Sequence, residues 1–380
     1  MKSPTDERGA ALPLATITLA LLGAVLIGLS TLSATEPVIA GNQVDGARAQ
    51  ALAESGLERA LWAVQHPEAA AGVPSPLPTP VPPPYDGSRL LTLTSDVAGL
   101  GGFRLTMLPG ARPHERQILS VGWVPTDDAA DARPKAQRSI AATLWRVRVP
   151  AETAPCALCA LNDITLDDGT AVDARTDLRC GAKTAAWSSG AVSVAASARV
   201  AGADADYRQA QPADAAAAWR FDAADLAALK RIARAQGTYY QGTVVFDASR
   251  PAPRGLVFVD TAGGIDLGAA TPPDEAGRVE MRGGSFQGWL VVAGSIEVSG
   301  DARIRGMAYA QDAFTYRGSA PGGIEGQVVA TGIRGGAALL ARSGDDSALT
   351  FDCAAARDGD GTVPAGWRVK AGSYREAPDS

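Results

Sequence analysis

The sequence predicts an α+β protein that is mainly β: an N-terminal transmembrane helix, a small antiparallel sheet, then a β-solenoid-like domain with one inserted helix. Three observations predict this order. An uncharged stretch runs from Ala10 to Thr35, β-rich runs separated by Gly, Pro and Asp fill residues 88–150, and short runs with alternating apolar residues begin at Cys156. The 42 glycines and 25 prolines among 380 residues are typical of a turn-rich chain with short elements.

The uncharged stretch follows a short polar leader, residues 1–9, which ends at Gly9. As a helix the stretch would be roughly 39 Å long, enough to cross a hydrocarbon core of about 30 Å. A segment in lipid must satisfy its own backbone hydrogen bonds, so a helix is expected despite Pro13. A secretory signal peptide has its small-residue cleavage site behind the apolar run, whereas here Gly9 lies in front of it. A plain single-pass anchor is the alternative.

The residues Arg8-Gly9-Ala10-Ala11-Leu12, followed by apolar residues, resemble the class III leader of type IV prepilins, and most closely the start of PilX-like minor pilins. The similarity continues through Ala40–Leu61, where Ala51–Gly56 forms its core, and the rest of the chain matches only loosely. The resemblance implies that a prepilin peptidase cuts between Gly9 and Ala10 and leaves the apolar helix on the mature protein.

The fifth residue after the expected cut is Leu14, where most members of this family carry a glutamate that pairs with the terminal amine of a neighbouring subunit. Members at the tip or in the initiation complex of a pilus tend to lack this glutamate. The resemblance therefore implies that Leu14 is a filament-packing residue of a subunit with low stoichiometry. The implied partners are other minor and major pilins, the prepilin peptidase, a large tip adhesin and the inner membrane.

By this resemblance the chain is expected to be a non-enzymatic minor pilin of a type IV pilus, without a cofactor, that acts in pilus assembly, initiation or tip display. It would be a single-pass inner-membrane protein before assembly and part of an extracellular pilus, or periplasm-facing, afterwards. One alternative is a K-type minor pseudopilin of a type II secretion system, whose added domain is mainly helical. Another is a membrane-anchored solenoid hydrolase of polysaccharides.

The predicted domain organisation begins with the leader, residues 1–9, and a helix over residues 10–65. Apolar residues at helical spacing continue the helix beyond the membrane, with a kink expected near Pro37 and Gly41. Eight prolines between His66 and Tyr85 predict a semi-rigid linker. The further predicted segments are the linker 66–87, the sheet 88–150, the solenoid-like ectodomain 151–353 and a C-terminal tail 354–380.

The predicted sheet rests on β-rich runs bounded by turn residues. One set of alternate residues would face a covering helix, as in a sheet with one face covered. The two sets are Ile140, Ala142, Leu144 and Arg146, and Ala141, Thr143, Trp145 and Val147. The predicted strands are Leu90–Ser95, Gly102–Leu108, Gln117–Pro125 and Gln137–Val149.

Beyond Cys156 apolar residues fall at every second position, as in Ile296 and Val298, and rungs of roughly 15–25 residues account for the spacing. An irregular antiparallel sandwich is the alternative to a parallel solenoid. One insertion has helical character over residues 222–236, with Asp222 as the N-cap and Gly237 at the end.

The four cysteines, Cys156, Cys159, Cys180 and Cys353, all follow the membrane segment and would face an oxidising envelope. This favours two structural disulfides, with a zinc site or redox thiols as alternatives. Cys159 and Cys180 are separated by about one predicted rung, and stacked rungs lie about 4.8 Å apart, within reach of a disulfide. The expected pairing is therefore Cys159–Cys180 with Cys156–Cys353.

Enzymatic chemistry is not expected. The histidines His66 and His114 lie far along the chain from any cysteine or carboxylate cluster, so neither a catalytic triad nor a metal site is predicted. The net charge of −6, without a basic block beyond the leader, disfavours nucleic acid as a partner.

Two sets of acidic residues could in principle form an enzymatic or a calcium site. Asp260, Asp266, Glu280 and Glu297 are interpreted as charges on a solvated face rather than as the carboxylate cluster of a hydrolase. Asp358 and Asp360 resemble a calcium loop but lack a distal bidentate acid, which favours a surface turn.

Overall fold

The structure is a computed structural model that describes residues 11–67, 69, 72–73, 77–91, 101–112, 114–124, 136–343 and 348–377. The expected processing residues Gly9 and Ala10 lie outside the described residues. The chain forms two compact units, Met1–Arg146 with Trp367–Ser380, and Val147–Gly366.

The elements follow one another as a long helix, an antiparallel set of strands, a long parallel set, and two final strands. The first unit begins with α1 (Ala11–Gln65), β1 (Asp86–Leu91), β2 (Gly102–Pro109), β3 (Glu115–Val124) and β4 (Ala136–Trp145). The second unit begins with α2 (Pro150–Thr153), β5 (Cys156–Ala160), β6 (Ile164–Leu166), β7 (Ala171–Ala174), β8 (Thr184–Ser188), β9 (Val192–Val194), β10 (Arg199–Gly202) and β11 (Tyr207–Arg208). It continues with a 3₁₀-helix (Ala213–Ala218), α3 (Ala223–Gln236), β12 (Tyr239–Gln241), β13 (Thr243–Asp247), β14 (Gly255–Asp260), β15 (Gly277–Arg282), β16 (Ser285–Val292), β17 (Gly294–Gly300) and β18 (Arg303–Ala310). Then come β19 (Phe314–Ser319), β20 (Gly323–Ala330), β21 (Ala338–Ser343), β22 (Leu349–Thr350) and α4 (Cys353–Asp358), and the chain returns to the first unit with β23 (Arg368–Val369) and β24 (Arg375–Ala377).

The first unit is an antiparallel sheet in the order β1-β2-β3-β4-β23, with β24 also paired to β4. The second half of α1 covers one face, as the alternation in β4 predicts: Ile140, Ala142 and Leu144 are buried together with Leu57 and Ala60 of the helix. Burying one face of each element in a common apolar layer is the main favourable term in forming this unit.

Two segments of the first unit differ from the predicted organisation. The proline-rich segment is not a free spacer in its described part, since Val73 and Tyr85 are buried in the core and Val81 packs against it. The predicted tail contributes two strands and the buried Trp367. In both segments apolar side chains gain free energy by leaving water, which an extended linker or a solvated tail would forfeit.

Helix α1 has no melted turn where the sequence predicts a kink or a short melted turn, near Pro37 and Gly41. It is helical from Ala11 to Gln65 with Pro37 inside it. Proline removes a single backbone donor, and the helix continues beyond that position.

The second unit is a parallel β-solenoid, which confirms the predicted fold class. One sheet has the order β10-β7-β22-β20-β18-β16-β14-β12, with β5, β8 and β11 branching from β20, and the other has the order β13-β15-β17-β19-β21-β6-β9. Trp289 pairs with Met307 and Ile304 with Ile324, so the central rungs have the predicted length. The inward residues of each rung are buried against those of the next.

The rungs are not stacked in chain order. The rung that ends the solenoid in sequence lies beside the rung that begins it, because β20 pairs with β5, β21 with β6 and β22 with β7. The connection from β11 to β12 therefore leads from one end of the stack to the other. It contains the 3₁₀-helix and α3, and we call residues 213–238 the strap.

The strap covers the outer face of one solenoid sheet. Trp219 packs edge-on against Trp187 at 5.5 Å between ring centroids, and Phe221 packs against Tyr309 at 4.4 Å. The Tyr309 hydroxyl accepts a hydrogen bond from the Phe221 N–H at 3.1 Å. Because both faces are then covered, strands such as β14 are buried along their whole length.

The predicted inserted helix is confirmed, with its caps. The Asp222 side chain accepts hydrogen bonds from the N–H groups of Ala224 and Asp225, and the Asp225 side chain accepts one from the Asp222 N–H. Gly237 ends α3 with φ of 72°. A capping box and a left-handed glycine satisfy the free backbone groups at the two ends of a helix.

The predicted disulfide pairing is wrong: the bonds join Cys156 to Cys159 and Cys180 to Cys353. Cys159 lies beside Trp187 on the next rung, so this rung is longer than the spacing from Cys159 to Cys180. Cys180 precedes β8 in a turn, where it meets Cys353 at the first position of α4.

Lys183 is a buried amine whose ionisation should make stability depend on pH. Its Nζ donates a hydrogen bond of 2.6 Å to the Ala154 carbonyl, and burial lowers the pKa of Lys183 from 10.5 to about 8. Below about pH 8 both the folded and unfolded chains are protonated, and the fold carries the full cost of a buried ammonium. Between pH 8 and 10.5 only the folded chain loses the proton, so stability rises with pH.

We expect this contribution to raise the free energy of unfolding by on the order of 1–2 kcal/mol between pH 7.5 and pH 10. Urea denaturation of the wild type and of Lys183→Met at both pH values measures it, because the variant removes this titration and leaves the others. An equal pH dependence in the two proteins would contradict the prediction.

Candidate functional site: an apolar helix that extends from its sheet

The first half of α1 exposes its large apolar side chains, including Leu14 at 68%, Leu19 at 70% and Leu26 at 65%. No charged residue occurs between Arg8 and Glu36. By length and composition, this helix could cross a membrane, and its most apolar window is not buried within the chain. The predicted membrane segment is thus an exposed apolar helix whose surface must be covered by lipid or by other helices.

Three threonine hydroxyls of this half are satisfied within the helix itself. The hydroxyl groups of Thr16, Thr18 and Thr31 donate to the carbonyls four residues earlier at 3.1, 2.9 and 3.1 Å. Threonine in an apolar medium needs such a partner, because an unpaired hydroxyl is costly there. These three threonines therefore expose no unsatisfied hydroxyl donor to surrounding lipid or helices.

The second half of α1 lies unusually close to β3. A Cβ on Gly56 would lie 2.9 Å from the Phe103 ring and closer still to the Ser120 hydroxyl, and one on Gly122 would lie 2.5 Å from the Ala53 nitrogen. Two glycines thus permit the helix backbone to approach the sheet. Gly56 belongs to the segment that carries the family resemblance, whereas nothing in the sequence pattern singled out Gly122.

Hydrogen bonds join α1 to the C-terminal segment of the same unit. Tyr374 Oη donates to Glu54 Oε1 at 3.1 Å and accepts from Gln50 Nε2 at 3.1 Å. Burial, reinforced by the hydrogen bond to Glu54, raises the pKa of Tyr374. Gln65 Nε2 donates to the Trp367 carbonyl at 3.0 Å. The predicted tail over residues 354–380 would not supply such partners, and no pattern in the sequence indicates them.

The acidic residues interpreted as charges on a solvated face do not converge into a cluster, and for Asp260 the interpretation as a solvated charge is wrong. Asp260 is fully buried and forms an ion pair with Lys230 at 2.9 Å, and Lys230 also contacts Asp266 at 2.9 Å. Burial lowers the pKa of Lys230, but the hydrogen bonds and charges of the two aspartates outweigh it, so the pKa is raised. Glu280 and Glu297 lie on the other sheet and pair with Arg278 at 3.3 and 2.8 Å.

The aspartates of the calcium-like sequence are also held by groups of the protein. Asp358 accepts from the Gly361 N–H at 2.8 Å, and Asp360 forms an ion pair with Arg305. An arginine in contact with one carboxylate competes with a cation for that ligand. The geometry is that of a surface turn.

Comparison with known proteins adds little to this picture. No protein family and no curated protein matches the sequence. Among solved structures, the competence-associated pilin ComZ from Thermus thermophilus aligns with 88% of this chain and 98% of its own, at 12% identity and a TM-score of 0.28. A TM-score this low does not establish a shared fold.

Proposed function

We propose that this chain is a non-enzymatic minor pilin of a type IV pilus, of the PilX-like kind. It is held in the inner membrane by α1 before assembly and contributes to pilus initiation or tip display afterwards. The β-solenoid is the part displayed to the exterior. Other pilins are its partners in the filament, and a prepilin peptidase is the processing enzyme.

The observation that carries the proposal is the division of α1. Its first half is apolar and uncovered, while its second half packs on an antiparallel sheet. A subunit that moves from lipid into a bundle of like helices needs such a surface, since either environment covers it. The sequence resemblance around Gly9 and Ala10 supports the same assignment independently of this geometry.

The alternatives have weaker support. A K-type pseudopilin has a mainly helical added domain, whereas the second unit here is a parallel solenoid. A solenoid hydrolase needs carboxylates that face a common groove, whereas Asp260 is paired with Lys230 and Glu297 with Arg278.

The first test concerns processing. We expect the mature chain to begin at Ala10, and Gly9→Val to block the cut because a branched Cβ does not fit the peptidase site. Mass spectrometry of the membrane fraction, with and without the peptidase gene, gives the N-terminus. A mature wild-type chain that retains Met1 would refute the proposal, as would cleavage beyond Ser33.

The second test concerns Leu14. An acid at the fifth mature position supplies a counter-charge for a neighbour's terminal amine, and an unpaired buried charge costs several kcal/mol. Leu14 cannot supply it, so we expect sparse incorporation near an end of the filament. We expect Leu14→Glu to increase incorporation along the shaft, whereas Leu14→Gln, similar in size but neutral, should not.

Immunogold labelling of filaments from the three strains measures this placement. Dense and regular labelling of the shaft by the wild type would rule out a tip or initiation role. Equal labelling for the glutamate and glutamine variants would show that charge at this position does not govern incorporation.

A further inference from the structure

One end of the solenoid is open. The last strands of the two sheets at this end are β12 and β13, and no further strand of the described chain pairs with their outer sides. We call residues Tyr239–Phe246 the open edge. It contains no charged residue and no proline, and Tyr, Thr, Val and Phe dominate it. The last residue of β13, Asp247, follows it, and the Asp247 carboxylate accepts hydrogen bonds from the N–H groups of Ser249 and Arg250. Edges of this composition are templates for pairing with another strand, and natural proteins usually protect them.

The backbone groups that face outward follow from the ladder. Gly242 donates its N–H to the Asp260 carbonyl and accepts from the Arg278 N–H, each at 3.0 Å. Successive residues of a strand point their N–H and C=O groups in opposite directions, so alternate residues face the neighbouring strand. Tyr239, Gln241, Thr243 and Val245 therefore present their backbone N–H and C=O groups to the outer side.

The opposite end of the solenoid is protected. There the Gln209 side chain accepts from the Val192 N–H of β9 at 3.2 Å, and the Asp206 carboxylate accepts from the Gly202 N–H of β10 at 3.2 Å. Side chains thus occupy strand-edge donors at that end. For Thr243 and Val245 the structure gives no such side-chain partner among the described residues.

An arginine lies beyond each end of the open edge. Arg234 stacks on the Tyr239 ring at 4.3 Å before the edge begins, and Arg250 follows β13 in an exposed turn. No carboxylate of the described chain forms an ion pair with either guanidinium. Two copies of the edge paired antiparallel would set Arg234 of one copy near Arg250 of the other, and like charges there oppose self-pairing.

We propose that the open edge binds, by strand addition, an extended segment of a partner protein in which apolar residues alternate with polar ones and Asp or Glu stands at each end. Backbone hydrogen bonds to Thr243 and Val245 supply the pairing, and the flanking arginines select the acidic ends. This surface is independent of α1 and of the assignment to a pilus.

The test uses the purified full-length chain in detergent micelles and a fluorescent peptide, Asp-Thr-Val-Thr-Val-Thr-Val-Asp, with a second peptide in which Lys replaces both Asp residues. Val245→Pro removes one outward N–H, and no internal ladder bond is lost because that N–H does not face β15. Val245→Thr keeps the N–H and is the matched control. Circular dichroism checks that each variant is folded.

We expect anisotropy to show that the Asp-ended peptide binds, that Val245→Pro weakens its binding at least about tenfold, and that Val245→Thr leaves it unchanged. Arg250→Glu should weaken the Asp-ended peptide and favour the Lys-ended one, with differences that shrink in salt. The proposal would be overturned if the Asp-ended peptide did not bind at millimolar concentration, or if Val245→Pro left its binding intact. If the chain does not bind the peptide but self-associates in sedimentation experiments, and only Val245→Pro abolishes this self-association, the open edge would instead pair with a second copy of the chain.

Discussion

Replacing Cys180 and Cys353 together by alanine is expected to lower the free energy of unfolding of the second unit by about 5 kcal/mol. The bond joins residues 173 apart in sequence, so it restricts the unfolded chain far more than a short link would. It also holds α4 at its first residue, where α4 packs on the solenoid and its Ala356 carbonyl accepts from Trp289 Nε1 at 3.0 Å. Urea unfolding followed by circular dichroism measures the loss.

The matched control is the double alanine variant of Cys156 and Cys159. These residues are 3 apart in sequence, and the same chain-entropy relation gives about 2 kcal/mol. Both of these cysteines are buried, whereas of the other pair only Cys353 is, so cavity effects add more to the control and make the comparison conservative. A loss in the control equal to or larger than that for Cys180 and Cys353 would show that loop closure is not the main contribution.

The second large effect is expected at a column of stacked glycines. Gly255 pairs with Gly288, Gly288 with Gly306, and Gly306 with Gly326. Gly288, Gly306 and Gly326 have φ of 137°, 146° and 138°, which side-chain-bearing residues rarely adopt. A Cβ on any of the three would also lie far inside contact distance of the carbonyl oxygen of the preceding glycine in the column.

Gly306→Ala is therefore expected to cost about 3–5 kcal/mol, because steric overlap with backbone adds to an unfavourable φ. Gly335→Ala separates the two causes, since φ is 91° there but nothing lies within 4 Å of the added Cβ, and about 1–2 kcal/mol is expected. At Gly263 nothing lies within 4 Å of an added Cβ and φ is not in the positive range, so Gly263→Ala should change stability by less than about 0.5 kcal/mol. Thermal and urea unfolding of the three variants would contradict this explanation if Gly306→Ala proved as mild as Gly335→Ala.

Much of the candidate site is local in origin and could be predicted from the sequence. The uncharged run requires a helix in apolar surroundings, and it is long enough to cross a membrane. Side chains such as Leu14 are therefore expected to face lipid or other helices, and the chain itself leaves Leu14 exposed. The close approach of α1 to its sheet could be predicted only in part. Gly56 lies in a recognisable segment, but Gly122 becomes meaningful only when β3 is placed beneath the helix.

The elements with local signals could be predicted from the sequence: the apolar helix, the alternation in β4, and α3 with Asp222 and Gly237 as its caps. Each arises from contacts within a few residues, where periodicity and capping chemistry act directly. The class of the second unit was also predicted, since short alternating runs separated by turns can bury their apolar face by stacking on one another.

The tertiary structure alone decided which distant segments meet. The pairing of Cys180 with Cys353, the stacking of β20 on β5, and the return of residues 367–377 to the first sheet all join parts of the chain that no local pattern relates. Four cysteines permit three pairings, and rungs of similar length can be stacked in more than one order. The choice depends on the free energy summed over the core of each unit. The buried Trp367 takes part in the core of the first unit, and the strap and the long rung before β8 take part in that of the second.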